Sequence, residues 1–314
     1  MISFSKISHF GRLGNKLFQY AFLRTQADKL GVQFYCPPWD GDDFFDLKDD
    51  YLRAKEPKGI LHIYDDRIGN ARNHWNITLQ DNTEVAGFFT RPSNFDEVKV
   101  RQWYVFKPEK VSRVDQKYLS IDFSETVGIH VRLGDKKNDT SIMRIFFVPR
   151  LFYYKKALKL FGHRKNILVF SDDIFLTKKY LAKLPYSFTF VEGNEPWEDM
   201  YLMSKCHDLI CGASTLSWWA GWLNKYKDKK VVYPKEQEIR PFGPHKNNPN
   251  FVPDTWIKIR SLLPIIDSYP MVTIYFYLHK TYHHVLGYPE RKRGSKKIFW
   301  IAVLKLKDIL CWRS

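Results

Sequence analysis

The sequence predicts an α/β protein in which helices cover a parallel sheet. From residue 127 onward, short apolar strands alternate with helices, which is the pattern of βαβ units. A strand, a glycine turn and a helix also open the chain. The chain has 314 residues, of which 44% are hydrophobic, so it can build one large domain or two ordinary ones.

The opening strand and helix flank two glycines. The segment ISFSKIS alternates like a strand, and apolar residues recur at helical spacing from Tyr20 to Leu30. Gly31 follows as a helix C-terminal signal. Gly11 and Gly14 therefore lie in a strand-to-helix turn, where α/β proteins bring the backbone close to a ligand. A tight turn that requires a positive φ angle is the alternative explanation.

The rest of the N-terminal region, which we place at residues 1–126, is predicted to mix strands and loops. LHIYDD and TEVAGFF are the predicted strands. The acidic segment WDGDDFFDLKDD, residues 39–50, does not fit a calcium loop because Phe44 occupies a ligand position. We therefore expect a solvated loop there.

The second region, residues 127–260, is predicted to be a doubly wound nucleotide-binding type of domain. Its predicted strands are VGIHVR, NILVFS, YSFTFVEG, HDLICG and KKVVYP. The predicted helices between them are PRLFYYKKALKLFG, IFLTKKYLAKL, PWEDMYLMSKC and STLSWWAGWLN. The tryptophans of the last helix lie on adjacent faces, and we expect core positions for them rather than sugar stacking.

The C-terminal segment, residues 261–314, has a different composition. It carries nine basic and three acidic residues, and aromatic residues are interleaved with the basic ones. A basic, apolar, tryptophan-containing helix is typical of attachment to an acidic membrane surface. A helix packed on the domain explains the same composition, and the sequence leaves both interpretations open.

The overall charge predicts an anionic partner. The formal net charge is +16, from 50 basic and 34 acidic residues, which favours nucleic acid, an acidic membrane or a phosphate-bearing substrate. The four cysteines show no metal-binding spacing and suggest a reducing compartment. We recognise no signal peptide and no apolar run of the ~18 residues that a spanning helix requires. These observations predict a cytoplasmic location.

The first candidate site residues follow the strand VGIHVR. Residues two apart on a strand share a face, so His130 and Arg132 are expected to point the same way. The planar guanidinium of Arg132 can hold two phosphate oxygens at once. Asp135 is a candidate either to orient the arginine or to act as a base. A structural ion pair between the two is the alternative.

Two further strand ends carry polar residues. Among the residues SDD at 171–173, the carboxylate of Asp172 could accept from a guanine edge or a ribose hydroxyl, although helix N-capping fits these residues equally. Ser214, Thr215 and Ser217 begin a predicted helix, whose free N–H groups and hydroxyls make an anion site. Together these strand ends predict a nucleotide diphosphate site at one edge of the sheet.

Four motifs give the chain a family resemblance. GRLGNKLFQYA, HVRLGD, FSDD and STLSWWAGWLN occur in the order and spacing of the α-1,2-fucosyltransferases of glycosyltransferase family 11, and the likeness covers residues 3–240. The resemblance implies a GT-B-like fold of two Rossmann-like halves, with the basic aromatic tail appended. It also implies GDP-β-L-fucose as donor and an inverting transfer that uses no metal or other cofactor.

The resemblance assigns roles on the donor side. Arg132 would neutralise the leaving β-phosphate, His130 would support it, and Asp172 would hold the guanine or ribose. Asp135 is a candidate general base that the motifs do not settle. The remaining donor contacts would come from Ser214, Thr215 and Ser217.

The resemblance also places the glycine turn on the acceptor side. Gly11 and Gly14 would let the turn approach the fucose and the acceptor, and Asn15 would reach the reacting centre. Leu133 departs from the family, because many members carry a second arginine there. By strand parity Leu133 should pack inward, and Arg12 is a candidate to complete the charge.

The implied acceptor is a β-galactoside in a lipid-linked surface glycan, of the O-antigen or capsule type. With no membrane anchor recognised, we expect a bacterial cytoplasmic enzyme that the tail holds peripherally at the inner membrane. One alternative is another GDP-fucose transferase, with a different linkage or a protein acceptor. The alternatives from other classes are a basic nucleic-acid-binding protein, which would need a continuous basic face, and a sugar-binding protein without turnover.

Overall fold

A computed structural model describes the chain at residues 1–50, 52–59, 62–66, 77–133, 148–162, 166–235 and 251–261. This part contains two sheets in which every paired strand runs parallel to its neighbour. Helices connect the strands, so the predicted α/β class is confirmed. Asp135 and the tail from residue 262 lie outside the described residues.

The first sheet has four strands in the order β2-β1-β4-β3. Its strands are β1 (Ile2–Ser3), β2 (Phe34–Tyr35), β3 (His62–Asp65) and β4 (Thr83–Ala86). The helices of this half are α1 (Leu13–Leu30), α2 (Gly41–Phe44), α3 (Glu97–Trp103) and α4 (Pro108–Lys117). As predicted, α1 follows a glycine turn and ends at Gly31, whose φ of 66° is left-handed.

The second sheet has six strands in the order β10-β9-β8-β5-β6-β7. They are β5 (Thr126–Val131), β6 (Asn166–Ser171), β7 (Thr189–Phe190), β8 (Asp208–Ile210), β9 (Val231–Pro234) and β10 (Ile257–Ile259). The helices are α5 (Leu151–Leu158), α6 (Ile174–Leu181), α7 (Pro196–Lys205) and α8 (Thr215–Leu223). All the predicted elements of this region are present, and β10 is an additional strand.

The strand order of the second sheet fixes where a ligand can bind. Strands β5, β6 and β7 follow one another towards one edge, whereas β8, β9 and β10 follow one another towards the other. The order therefore reverses between β5 and β8. In open parallel sheets, ligands bind in the crevice beyond the carboxyl ends of the strands at this switch point.

The alternation of side chains along β5 is as predicted. Val127, Ile129 and Val131 are buried and belong to the apolar cluster that includes Tyr153 of α5. Leu133 joins the same cluster and is 4% exposed, which confirms that this departure from the family packs inward. His130 lies on the opposite face, because it pairs in register with Phe170 of β6, which belongs to the other apolar cluster.

The tryptophans of α8 form the junction between the two sheets. Trp218 and Trp219 are fully buried, which confirms their predicted place in the core. Phe18 of α1 packs against both, with its ring centroid 4.8 Å from Trp218 and 4.7 Å from Trp219. One apolar cluster therefore contains residues of both sheets. The predicted domain boundary at residue 126 lies within the single compact unit Met1–Leu262 and stays a prediction.

The acidic segment 39–50 corrects the sequence interpretation. It contains α2, and Phe44 and Phe45 are each 1% exposed. Asp49 is buried and accepts from Arg53 Nε at 2.7 Å, and Asp42 accepts from the same guanidinium. The solvated loop was therefore wrong, because Arg53, outside the segment, neutralises Asp42 and Asp49 and the phenylalanines join the core.

Candidate functional site

The ends of β5 and β8 meet directly at the switch point. A Cβ atom placed on Gly212, which follows β8, would lie 2.9 Å from the carbonyl oxygen of His130 and 3.3 Å from its Nδ1. His130 is itself only 3% exposed. The missing side chain at Gly212 therefore lets the loop after β8 close onto the predicted site strand.

Arg132 is held by Asp172, which follows the neighbouring strand β6. The Nε of Arg132 lies 3.0 Å from Oδ2 of Asp172, and both side chains are largely buried. The other carboxylate oxygen accepts from the backbone N–H of Leu133 at 2.9 Å. One carboxylate thus fixes both the guanidinium and the backbone that carries it. The predicted contact of Asp172 with guanine or ribose stays a prediction.

The adjacent carboxylate, Asp173, has a different task. It is the N-cap of α6 and accepts from the backbone N–H of Leu176 at 2.9 Å. Ser171 and Thr177 exchange a hydroxyl hydrogen bond of 2.8 Å beside it. The capping interpretation of the sequence is therefore correct for Asp173, while Asp172 faces the arginine.

The start of α8 supplies polar groups on the other side of the switch point. Ser214 is the N-cap and accepts from the N–H of Leu216 at 3.3 Å. Thr215 donates to Oδ1 of Asn15, 200 positions away, at 3.0 Å. Ser217 is fully buried and its hydroxyl donates to the carbonyl of Ser214 at 3.2 Å. Ser217 therefore does not share the surface of the helix start with the other two hydroxyls.

Gly14 brings the glycine turn against α8. A Cβ atom at this position would lie 2.5 Å from the backbone nitrogen of Leu216 and 2.6 Å from the carbonyl carbon of Thr215. The carbonyl oxygen of Gly14 also accepts from Nε1 of Trp219 at 2.9 Å. The first glycine-rich motif and the last tryptophan-rich motif thus pack on each other, so only glycine fits here.

Gly11 fits the alternative explanation given for the glycines, a tight turn that requires a positive φ angle. Its φ angle is +80°, a conformation that favours glycine. The Asn15 side chain folds back against it, since a Cβ at Gly11 would lie 2.0 Å from Asn15 Nδ2. Arg12 is exposed between them, and its carbonyl accepts from the Asn15 N–H at 2.8 Å. The turn therefore holds Asn15 at the edge of the candidate site.

Two tyrosines that sequence reasoning missed donate hydrogen bonds to backbone carbonyls at the strand ends. Tyr153 of α5 donates to the carbonyl of Cys211 at 2.6 Å, and Tyr154 donates to the carbonyl of His130 at 3.3 Å. Burial raises the pKa of Tyr154 well above its usual value, so the group stays a neutral donor. The signal was present in FYYKK, because a buried tyrosine hydroxyl needs a hydrogen-bond partner.

The arrangement suits a ligand rich in anionic oxygens. It combines a guanidinium at the end of β5 with the N-terminus and hydroxyls of α8, and groups of both kinds bind phosphates. Within the described ranges, no group of three or more His, Cys, Asp or Glu side chains is arranged to hold a metal ion. In the same ranges no helix has the length and apolar character needed to cross a membrane.

Comparisons with known proteins give a family match and several similar proteins. The model of the family described as glycosyl transferase family 11 matches residues 95–260, just over half of the chain. An α-1,2-colitosyltransferase of Escherichia coli is 30% identical over 196 residues, which are 59% of this chain and 65% of that protein. The O-antigen biosynthesis glycosyltransferase WbnK of the same species is 33% identical over 143 residues, which are 43% of this chain and 45% of WbnK.

Both matches cover less than two thirds of the relatives' own length. Among solved structures, the NodZ α-1,6-fucosyltransferase of Bradyrhizobium soaked with GDP-fucose is similar at a TM-score of 0.46. The identity is 15%, over 71% of this chain and 92% of NodZ.

Proposed function

Because the chain belongs to glycosyltransferase family 11, we propose that it transfers L-fucose from GDP-β-L-fucose to the 2-hydroxyl of a β-galactoside. The observation that carries the proposal is Arg132, a guanidinium held by Asp172 at the switch point of a parallel sheet. A nucleotide diphosphate bound there would place its phosphates between this arginine and the start of α8.

In the proposed reaction, the acceptor hydroxyl attacks the anomeric carbon from the face opposite GDP. The bond to the β-phosphate breaks, negative charge grows on the diphosphate, and the configuration inverts. Preorganised donors at the position of that charge are the largest contribution to such catalysis. Arg132 and the backbone N–H groups that begin α8 would supply them, with His130, Ser214 and Thr215 alongside.

The acceptor would approach from the glycine turn. Asn15 is hydrogen-bonded to Thr215, so the turn and the proposed diphosphate site share one edge. Gly11, Gly14 and the exposed Arg12 would then line the acceptor side. Asp135 is our candidate for the base that takes the proton of the hydroxyl. No metal takes part in this proposal.

The proposed acceptor is a lipid-linked surface glycan. We propose that the enzyme is bacterial and cytoplasmic and binds peripherally to the inner membrane. The names of the two E. coli relatives support an α-1,2 linkage and O-antigen biosynthesis. Family membership favours this reading over a nucleic-acid-binding protein or a sugar-binding protein without turnover. The alternatives are transfer to a protein and transfer in another linkage. Assays with different acceptors would distinguish them from the proposed reaction.

The deciding experiment measures GDP release from GDP-fucose, with and without lactose or a galactosyl-N-acetylhexosamine, in EDTA. We expect release that depends on the acceptor and persists in EDTA, and NMR of the product should show an α-1,2 linkage. Tight GDP binding without release on any galactoside would overturn the acceptor. Failure to bind GDP would overturn the donor as well.

GDP-colitose is a second candidate donor, because one of the relatives is an α-1,2-colitosyltransferase. Colitose differs from fucose by lacking the 3-hydroxyl, so a site that hydrogen-bonds this hydroxyl would discriminate strongly between the two sugars. Parallel assays with GDP-fucose and GDP-colitose at equal concentration test this. A higher kcat/KM for GDP-colitose would replace fucose in the proposal and leave the diphosphate site unchanged.

Asp172→Asn tests whether this residue positions Arg132 or holds the nucleotide. The amide still accepts from the Leu133 N–H but loses the charge that orients the guanidinium. We expect kcat to fall about tenfold or more with a smaller change in KM for the donor, because misplacing a catalytic group slows the reaction. The matched control is Asp173→Asn, which removes the neighbouring charge and keeps an N-cap. A raised KM with an unchanged kcat would instead assign Asp172 to the nucleotide.

A further inference from the structure

A basic pocket lies at the opposite end of α8 from the candidate site. It has a volume of about 430 Å³ and is lined by Arg101, Lys225, Lys227 and Lys229, with Trp256 at its wall. Helix α8 has nine residues and so is about 13 Å long. Its first residues carry the proposed diphosphate site, whereas the loop after its last residue forms this pocket. The two are therefore separate places on the molecule.

Two of the four cations are fixed in place by the end of α8. Nη1 of Arg101 donates to the carbonyl of Trp222 at 2.7 Å, and its guanidinium stacks 3.8 Å above the Trp222 ring. Lys229 donates from Nζ to the carbonyl of Asn224. These bonds satisfy two carbonyls of the helix end, and they use one of five N–H groups of the arginine and one of three of the lysine.

The loop that carries the lysines is itself anchored. Asn224 is 1% exposed, donates to the carbonyl of Cys206 at 2.6 Å and accepts from the N–H of Tyr226 at 2.9 Å. Lys225 and Lys227 leave this anchored turn and are exposed. Helix capping accounts for Arg101 and Lys229, but it gives these two lysines no role.

The pocket gathers positive charge, which Glu97, one helical turn before Arg101 in α3, offsets in part and from beyond ion-pair distance. Within the described part of the chain, none of its four cations has an Asp or Glu oxygen within 4.0 Å. The one acidic residue of the loop, Asp228, is 79% exposed and lies 3.3 Å from Nε2 of His207. Like charges gathered in this way raise the free energy of the protein unless an anion joins them.

We propose that this pocket is a second anion site, which binds a phosphoryl group and is independent of the sugar-nucleotide site. The fixed guanidinium and ammonium would contact the phosphate oxygens, and the two exposed lysines would add charge at the rim. A free phosphate ester and the headgroup of an anionic lipid present the same chemistry to it. The proposal does not depend on which sugar is transferred.

Lys229 offers a readout confined to the pocket. Burial, and then the charge of Arg101, lower its pKa to about 8. An anion bound beside it would favour the ammonium and raise this pKa, so the neutral amine would become scarcer. At pH 8, a rise of one pKa unit lowers the neutral fraction of this amine about fivefold, and its acylation should slow by the same factor.

The experiment acylates the full-length protein briefly at pH 8, and peptide mass spectrometry follows Lys229. We expect inorganic pyrophosphate, or vesicles containing phosphatidylglycerol, to slow acylation of Lys229 about fivefold. Protection by pyrophosphate would identify a free phosphate ligand, and protection by vesicles alone would identify a lipid headgroup. No protection by either probe would overturn the proposal.

Two double variants complete the test. Lys225→Ser with Lys227→Ser should lose the protection of Lys229. The control pair, Lys155→Ser with Lys159→Ser, removes the same charge from two exposed positions, one in α5 and one directly after it. This pair should retain the protection of Lys229. Protection that survives the first pair would also overturn the proposal, because it would show a non-specific effect of charge or of the tail.

Discussion

Replacing Arg132 by alanine is expected to lower kcat for fucosyl transfer by two to three orders of magnitude, on the order of the loss for one oxyanion donor. The guanidinium stands at the switch point, oriented by an ion pair of 3.0 Å to Asp172. In the proposed reaction it would meet the charge that grows on the leaving diphosphate. The measurement is steady-state kinetics of GDP release together with the Kd for GDP.

The change in kcat is to be compared with the change in the Kd for GDP. A group that acts mainly on charge formed in the transition state changes kcat more than it changes ground-state affinity. We therefore expect a modest rise in the Kd for GDP beside the large fall in kcat. Arg132→Lys should recover part of the rate, since the ammonium keeps the charge but loses the planar fork.

Two controls separate chemistry from folding. Arg113→Ala removes an exposed arginine of α4 and should leave kcat unchanged. Circular dichroism and thermal unfolding of Arg132→Ala should show a folded protein, although Asp172 loses its ion-pair partner. Retention of most of the activity by the folded variant would refute the proposed role of Arg132.

Local periodicity predicted the part of this site that depends on one strand or one helix. The alternation in VGIHVRL correctly separated His130 from the inward-facing Leu133, because side chains on a strand alternate by geometry alone. The tryptophans of α8 were placed in the core for the same kind of reason. Strands alternating with helices predicted the parallel sheet, although not its strand order.

The pairings between distant residues could not be predicted in this way. Asp172 lies 39 positions beyond the backbone N–H of Leu133 that it accepts from, and Thr215 lies 200 positions beyond Asn15. Periodicity gives the face of an element but not the segment that will pack on it. The same gap explains the error at residues 39–50, where Asp42 and Asp49 looked solvated because Arg53 was not recognised as their partner.

The roles of the two glycines illustrate both cases. Gly11 was predictable as a turn glycine, and its φ of +80° agrees. Gly14 was interpreted as an approach to a ligand, whereas the atoms that approach it belong to the start of α8. That contact is tertiary, so it places the glycine turn beside the start of α8, while a contact of Gly14 with the acceptor stays a proposal.

Trp219→Ala is expected to lower the free energy of unfolding by about 3–5 kcal/mol, the range for removing a large buried aromatic side chain. The ring is fully buried and packs between the two sheets, with centroids 4.7 Å from Phe18 and 5.5 Å from Phe95. Its Nε1 donates to the carbonyl of Gly14 at 2.9 Å. Chemical denaturation followed by circular dichroism gives the free energy.

Two substitutions set the scale for this loss. Trp219→Phe keeps much of the packing and removes the hydrogen bond to Gly14, so it should cost less than the alanine variant. Phe175→Ala removes an aromatic ring that is 66% exposed and should change the free energy of unfolding by no more than about 0.5 kcal/mol. Equal losses for the buried and the exposed ring would contradict the packing argument.

The shape of the transition is the more informative result. Because one apolar cluster contains Phe18 and Phe95 from the first half together with Trp219 from the second, the two sheets should unfold together. We expect Trp219→Ala to shift a single transition and to reduce transferase activity along with it, since Asn15 and Thr215 lose the packing that aligns them. Two separate transitions, of which only one moves, would show that the halves fold independently and that their alignment depends on the ligand instead.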